Sequence, residues 1–326
     1  MRTMQLPAER GPLSAHVIEA IHSPLRGLGE PPDITDDPLT GDDFHLALYL
    51  CYELHYTSIE GVDSRWEWEP SLLEFRRRLE DAFEKELAVN TPPVDKDPDI
   101  ATTLGNLARD KTGPSLSRIL ERDPSLERIR EFVIHRSAYQ LKEADPHSWV
   151  IPRLTGKPKA ALMEIQIDEY GSGDAAAIHA ELFARTMRAL ELDDSYGAYI
   201  GRLPGITLAQ TNLMSMFGLH HRWRGAIVGH LALFEMTSTE PNRRYGNALR
   251  KLGFDSEATA FFDEHVEADA VHEAIAAHDL AGSLASENLD MATDIGFGAR
   301  CLLHLEQRWS AHLLDAWDAT RTSLLL

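Results

Sequence analysis

The chain has little of what several large function classes require. Only two cysteines, Cys51 and Cys301, occur in 326 residues. They lie far apart and outside any CxxC pattern, which excludes a disulfide framework and a thiolate zinc site. Each reads as a small apolar core residue. Positive charge is also short: 32 Lys and Arg against 52 Asp and Glu leave a net charge of −20. Nucleic acid demands a basic footprint and is excluded as a partner, as is an anionic membrane surface. No apolar run approaches the roughly 20 residues needed to span a bilayer, and the start, Met1 to Gly11, carries no signal-like apolar segment. A cytoplasmic protein is expected. Gly171-Ser172-Gly173 is followed by Asp174 and not by Lys, with no strand before it, so neither a P-loop nor a dinucleotide fingerprint fits. No Gly-x-Ser-x-Gly nucleophile elbow appears either.

What the chain does have is helical periodicity. Residues 1–40 are rich in proline and glycine, with one short helical candidate near Ala15–His22, and read as an N-terminal arm. From Gly41 the pattern changes: Phe44, Leu48, Cys51, Tyr52 and His55 recur at helical spacing behind Asp42 and Asp43. A second helix is predicted over about 70–89, before the breaker Thr91-Pro92-Pro93. Further candidates run about 115–121, 124–144, 157–169, 174–191, 206–237, 242–252, 256–279 and 283–317. Alternating strand patterns and hairpin turn signals are nearly absent. The expectation is an all-α fold: an arm over 1–40, then a single helical domain over 41–326.

The strongest local signal is His265-x3-Asp269-x2-His272. Positions i, i+4 and i+7 of a helix fall within about 60° of one another, so three side chains of ligand type point one way. Imidazole and carboxylate suit iron or another first-row divalent metal; a solvated polar face is the bland alternative. Next, Glu169 stands near the end of one predicted helix and His179 at the start of another, across the Gly171 and Gly173 break, with Asp174 expected to cap the second helix. They flank a turn and can converge. His179 shares its face with Leu182, Phe183, Thr186 and Leu190 and so points inward, where core histidines satisfied by a hydrogen bond are also common.

Two further carboxylates sit in otherwise apolar helical stretches. Glu235 lies in His230-Leu-Ala-Leu-Phe-Glu-Met236 and needs a cation, unless it escapes to solvent near Thr237–Glu240. Glu143 follows Tyr139-Gln-Leu-Lys142 and is either a ligand or a charge paired with Lys142 or Arg136. Taken together, Glu143, Glu169, Glu235 and Asp269 bring four negative charges to His179, His265 and His272, a set that two divalent ions would neutralise. Without metal the carboxylates would repel and take up protons. Other polar groups carry weaker signals. Glu19-x2-His22 is half of a ferritin-type pair without a second copy; His220-His221 reads as a surface patch; His135, Asp145, His147 and His230 read as packing or supporting residues.

At this point the sequence resembles a known family. The stretches Leu141-Lys-Glu-Ala-Asp-Pro-His147, Pro152-Arg-Leu154, Glu164-Ile-Gln-Ile-Asp-Glu-Tyr-Gly171 and His179-Ala-Glu-Leu-Phe183 are similar to the iron-containing redox enzymes. These are haem-oxygenase-like helical bundles that bind two irons in place of haem. The resemblance covers roughly 125–280, which would be the di-iron core, with extra N-terminal helices outside it. It implies metal ligands at Glu143, His179, Glu235, His265, Asp269 and His272, and matches Glu169 to the additional carboxylate of members that oxygenate nitrogen. Glu169 is thereby cast as both ligand and catalytic residue. Two Fe(II)/Fe(III) ions, O2 as co-substrate, an external reductant, a small-molecule substrate, an electron donor and a homodimer are the implied cofactors and partners. No cupin domain follows the last helix before Leu326, so nitrosation at a second, mononuclear site is not expected.

Three functions follow. The leading one is a non-haem di-iron oxygenase of an amine or guanidine-type small molecule in a biosynthetic pathway. The second uses the same site for C–H chemistry, desaturation or oxidative fragmentation of an amino acid or fatty acid. The third is a non-catalytic helical interaction protein.

Overall fold

The computed structural model describes residues 3–91, 99–110 and 113–326, apart from the side chains of 269 and 270. Pro92 and Pro93 of the expected breaker lie outside the described residues. Among those described the chain is helical, and its only β pairing is an isolated bridge between Met4 and Ile59. No helix among them is long and apolar enough to cross a membrane.

The N-terminal helices are α1 (Pro12–Ile21), α2 (Asp42–Glu53), α3 (Pro70–Asn90), α4 (Ile100–Arg109) and α5 (Leu116–Arg122). Each start has a cap whose origin differs. Gly11 offers α1 no side chain, and the Asp43 carboxylate of α2 accepts from the Leu13 and Ser14 N–H groups instead. Asp99, Ser115 and Ser125 cap their own helices through N–H groups three residues on. Residues before Gly41 lie against the body, with Met4, Leu13, Val17 and Ile21 buried. Both cysteines are buried too.

The central set is α6 (Leu126–Gln140), the short α7 (Asp145–Ser148), α8 (Gly156–Glu169), α9 (His179–Ala189) and α10 (Gly205–Leu219). Two long helices follow, α11 (Arg224–Lys251) and α12 (Ser256–Ala274), then the short α13 (Ser283–Glu287) and the long α14 (Asp290–Asp318). α11 packs along α14 and α12, and α12 along α9. Glycine permits the closest approach: a Cβ on Gly229 would sit 1.9 Å from the Ile295 carbonyl oxygen, and one on Gly298 at the same distance from that of Ala226. These two contacts let the backbones of α11 and α14 meet almost directly.

Boundaries differ from the sequence reading in four places. The expected helix over 206–237 is broken at His220–Trp223, where the chain makes a 3-10 turn, whereas α11 continues through Pro241. Proline removes one backbone bond there, and packing on both sides outweighs it. Glu143 is not helical. α6 stops at Gln140 and Glu143 sits in a turn closed by Ala144 at φ 71°. Asp174 does not cap α9, which starts at His179; it accepts from the Ala176 N–H inside the connecting loop. Finally, α12 passes into a π-helical stretch over Ile275–Gly282, packed against α8 and α11. Such wide turns recur at functional sites.

Candidate metal centre

Five segments of chain deliver side chains to one buried pocket. Glu143 comes from the turn after α6, Glu169 is the last residue of α8, and His179 the first of α9. The Gly171 turn joins the latter two. With φ +72°, a Cβ on Gly171 would lie 2.7 Å from the Ala177 backbone, so only glycine fits the tight return. Glu235 comes from α11, and His265 and His272 stand two turns apart on α12.

Six of the seven expected side chains meet. Ligand-type atoms of Glu143, Glu169, His179 and His265 lie within 4.8 Å of one another, as do those of Glu169, Glu235 and His272. Glu169 belongs to both groups and stands between them. All six are buried. Asp269 lies on α12 between the two histidines, but its side chain is outside the described residues.

Two of the three imidazoles, those of His265 and His272, are held by hydrogen bonds directed away from the pocket. His265 Nδ1 is 2.7 Å from the Phe261 carbonyl, so that nitrogen donates and Nε2 faces Glu143 Oε1 at 3.4 Å. His272 Nε2 donates to Asp168 at 3.1 Å, and Nδ1 faces Glu235 Oε2 at 3.4 Å. Carbonyl and carboxylate acceptors behind the ring fix the tautomer in the way metal-binding histidines require. His179 Nδ1 is 2.9 Å from Glu169 Oε2. Sequence reasoning missed Asp168, a half-exposed neighbour of Glu169 that looks like any surface carboxylate.

The pocket lacks internal satisfaction. Glu143 Oε2 is buried without a hydrogen-bond partner, and Glu169 Oε2, His179 Nδ1 and His272 Nδ1 meet their neighbours as ion pairs and not as aligned hydrogen bonds, a costly condition unless a ligand supplies the missing interaction. Protons take part of that role in the metal-free protein. Burial raises the Glu143 and Glu235 carboxyl groups above the usual range, against the pull of neighbouring imidazoles. Burial also pulls the His272 imidazole down, but Glu235, Asp168 and Glu169 override it and push the group up to about 9. Burial would raise Glu169, yet His179 holds it below the usual carboxylate value. A carboxylate and imidazole donor set of this kind fits iron.

A cavity of about 290 Å³ reaches the pocket at His265. Its walls mix aromatic side chains, among them Phe132, Phe234, Tyr245 and Trp309, with polar ones such as Gln140, Thr237 and Asn242. Its conspicuous charges are Arg136 and Glu306, joined by two hydrogen bonds of 2.7 and 3.0 Å, with the guanidinium 4.1 Å above the Trp309 ring. Arg136 therefore pairs with Glu306, and Lys142 with Glu53 at 2.8 Å, leaving neither for Glu143. Glu235 is buried and does not escape to solvent.

Comparison with known proteins agrees with the geometry. A family model described as "Iron-containing redox enzyme" matches residues 130–307. The nitrosourea synthase of Streptomyces achromogenes subsp. streptozoticus is 28% identical over 132 residues, which cover 40% of this chain and 28% of that protein. The chain thus spans little more than a quarter of the length of the curated relative it matches.

Proposed function

This chain belongs to the iron-containing redox enzyme family, and from that premise we propose that it is a non-haem di-iron oxygenase acting on nitrogen. The substrate class is an amine or guanidine-type small molecule of a biosynthetic pathway, with electrons from an external donor. The observation that carries this reading is the sharing of Glu169 between two buried groups of carboxylate and imidazole. Glu143, His179 and His265 would hold one ion, Glu235 and His272 the other, and Glu169 both, with Asp269 as the further ligand expected on α12. Bound ferrous ions supply the electrons that activate O2.

The protein's own share is placement. Phe261 and Asp168 lock the rings of His265 and His272. The cavity beside the pocket sets aromatic side chains among polar ones, and its Arg136–Glu306 pair would offer a substrate a fixed polar contact. Nitrogen as the atom attacked is supported by Glu169 and by the name of the matched relative. The aromatic side chains of that cavity favour a second reading, C–H cleavage of an amino acid or fatty acid at the same centre.

Reconstitution with ferrous iron under anaerobic conditions, followed by elemental analysis, is expected to give an iron pair per chain. Mass spectrometry of products after O2 exposure separates the two chemistries: oxygen gained on nitrogen supports the first, and loss of hydrogen or carbon the second. Full activity in iron-free protein rules out both.

A further inference from the structure

Reduction of O2 in a buried pocket consumes protons as well as electrons, and His147 stands in the wall of that pocket beside Glu143, Glu169 and Glu235. We infer that protons reach it along a buried relay that starts at the C-terminal tail: Glu131, Ser323, His135, Thr207, a water-sized cavity, His230 and His147. The inference rests on the oxygenase reading for its purpose, though not for its existence.

The connections are short on both sides of one gap, which a cavity spans. Glu131 accepts from exposed Thr322 at its outer end and from Ser323 Oγ at 2.9 Å. Ser323 Oγ is 2.9 Å from His135 Nε2, and His135 Nδ1 is 2.7 Å from Thr207 Oγ1. A cavity of about 20 Å³ follows, bordered by His135, Thr207, Gln210 and His230. That volume accepts one water, and a polar lining is the condition for holding it. The buried Gln210 Nε2 has no partner in the protein, so the lining includes a donor in need of one. Beyond it, His230 Nδ1 is 3.3 Å from His147 Nε2. His147 lines the same pocket as Glu143, Glu169 and Glu235, and its Nδ1 is buried without a partner.

Each imidazole carries a proton without gaining net charge. It accepts one on the nitrogen nearer the tail and releases one from the nitrogen nearer the pocket, ending neutral in the other tautomer. Hydroxyl groups and water pass their own hydrogens in the same direction. One proton leaves solvent at the tail and one arrives in the pocket, where O2, reduced by electrons from the external donor, takes it up. All three histidines are buried, which is a poor place for imidazoles that serve no polar purpose.

The deciding measurement uses metal-free protein labelled with ¹⁵N-histidine, in which exchange of imidazole N–H with solvent is followed by NMR. Thr207→Val keeps the shape and removes the hydroxyl; Ser323→Ala cuts the relay nearer the tail. Exchange at His147 and His230 is expected to slow at least tenfold in both variants, while His45, buried elsewhere beside Asn212, is unchanged. In iron-loaded protein the same variants are expected to slow O2 uptake per iron about tenfold and to enlarge the solvent deuterium effect, with iron content constant. Unchanged exchange in both variants, or equal slowing at His45, overturns the relay. Because that measurement needs neither iron nor O2, it judges the relay even where a missing oxygenated product sinks the oxygenase reading.

Discussion

Lys142 and Glu143 are neighbours in sequence, both buried and both charged, yet they enter pockets of opposite character. Lys142 Nζ sits 2.8 Å from Glu53 Oε2, with the rings of Tyr56 and Tyr49 at 4.1 and 4.8 Å, and Tyr196 OH donates to the other Glu53 oxygen at 2.6 Å. That cluster is complete within the protein. On the other side, Glu143 faces carboxylates and imidazoles among which four buried atoms make no aligned hydrogen bond within the protein. Burial and charge alone therefore do not mark a site. What marks it is charge the fold gathers and leaves unanswered.

The largest expected effect is on the complete side. Lys142→Met leaves the Glu53 carboxylate buried with the hydroxyls of Tyr196 and Thr57 in place of its cation, and breaking a buried pair from one side costs about 3–5 kcal/mol. Urea unfolding should show that loss with and without iron. A loss under about 1 kcal/mol would erase the distinction between the clusters, since the pair would then behave like a surface one.

The two clusters also differ in how far they could be read from sequence. The ligand-type residues were legible because a carboxylate in an apolar stretch, or a His-x3-Asp-x2-His run, breaks a local pattern. The Lys142–Glu53 pair joins residues 89 apart in sequence and breaks none. All-helical architecture followed from periodicity, but its interruptions did not. His220–Trp223 contains neither glycine nor proline, and Ala144 adopts a left-handed conformation that alanine does not advertise. Pro241, which does advertise a break, sits inside α11 because tertiary packing decides there. The sequence leaves His147 and His230 open between packing and a supporting role; their contact closes only when α7 and α11 are placed side by side.

The histidines sharpen the comparison through pH. In the pocket, burial opposes the charge on His179 and His272, but nearby carboxylates win and both groups are raised. At His45, packed beside Phe44 and Phe83, burial outweighs the upward pull of the Leu39 backbone, Asp37 and Asp36 and lowers the group to about 4. A lowered imidazole contributes stability that is present above its unfolded value of about 6.5 and is lost as pH falls toward 4. One such group amounts to about 3 kcal/mol over that window. His45→Gln should make the fall in stability between pH 6.5 and 4 shallower, by up to about 1.4 kcal/mol per pH unit. Equal slopes for the two proteins in acid titration of unfolding would mean that His45 takes up its proton while the fold is intact.

The smallest effect on the bare fold, and the sharpest contrast, is expected at Glu169. Glutamine there keeps the shape and removes one of the carboxylate charges that crowd the pocket. In metal-free protein it relieves repulsion with Glu143 and Glu235 while costing His179 its counter-charge, two terms of opposite sign. The net change in stability should stay within about 1 kcal/mol. With iron the outcome reverses. A ligand at a hundredfold its dissociation constant stabilises the folded state by about 2.7 kcal/mol, and on the proposed reading Glu169→Gln is expected to weaken both sites at once, since that carboxylate belongs to both groups. Melting followed with and without ferrous iron should show a rise for the parent protein and little for the variant, whereas Glu235→Gln, which touches one group only, should keep part of it. A variant at Glu169 that melts as high with iron as its parent would show the two groups to be independent, and the idea of a shared centre would fail there.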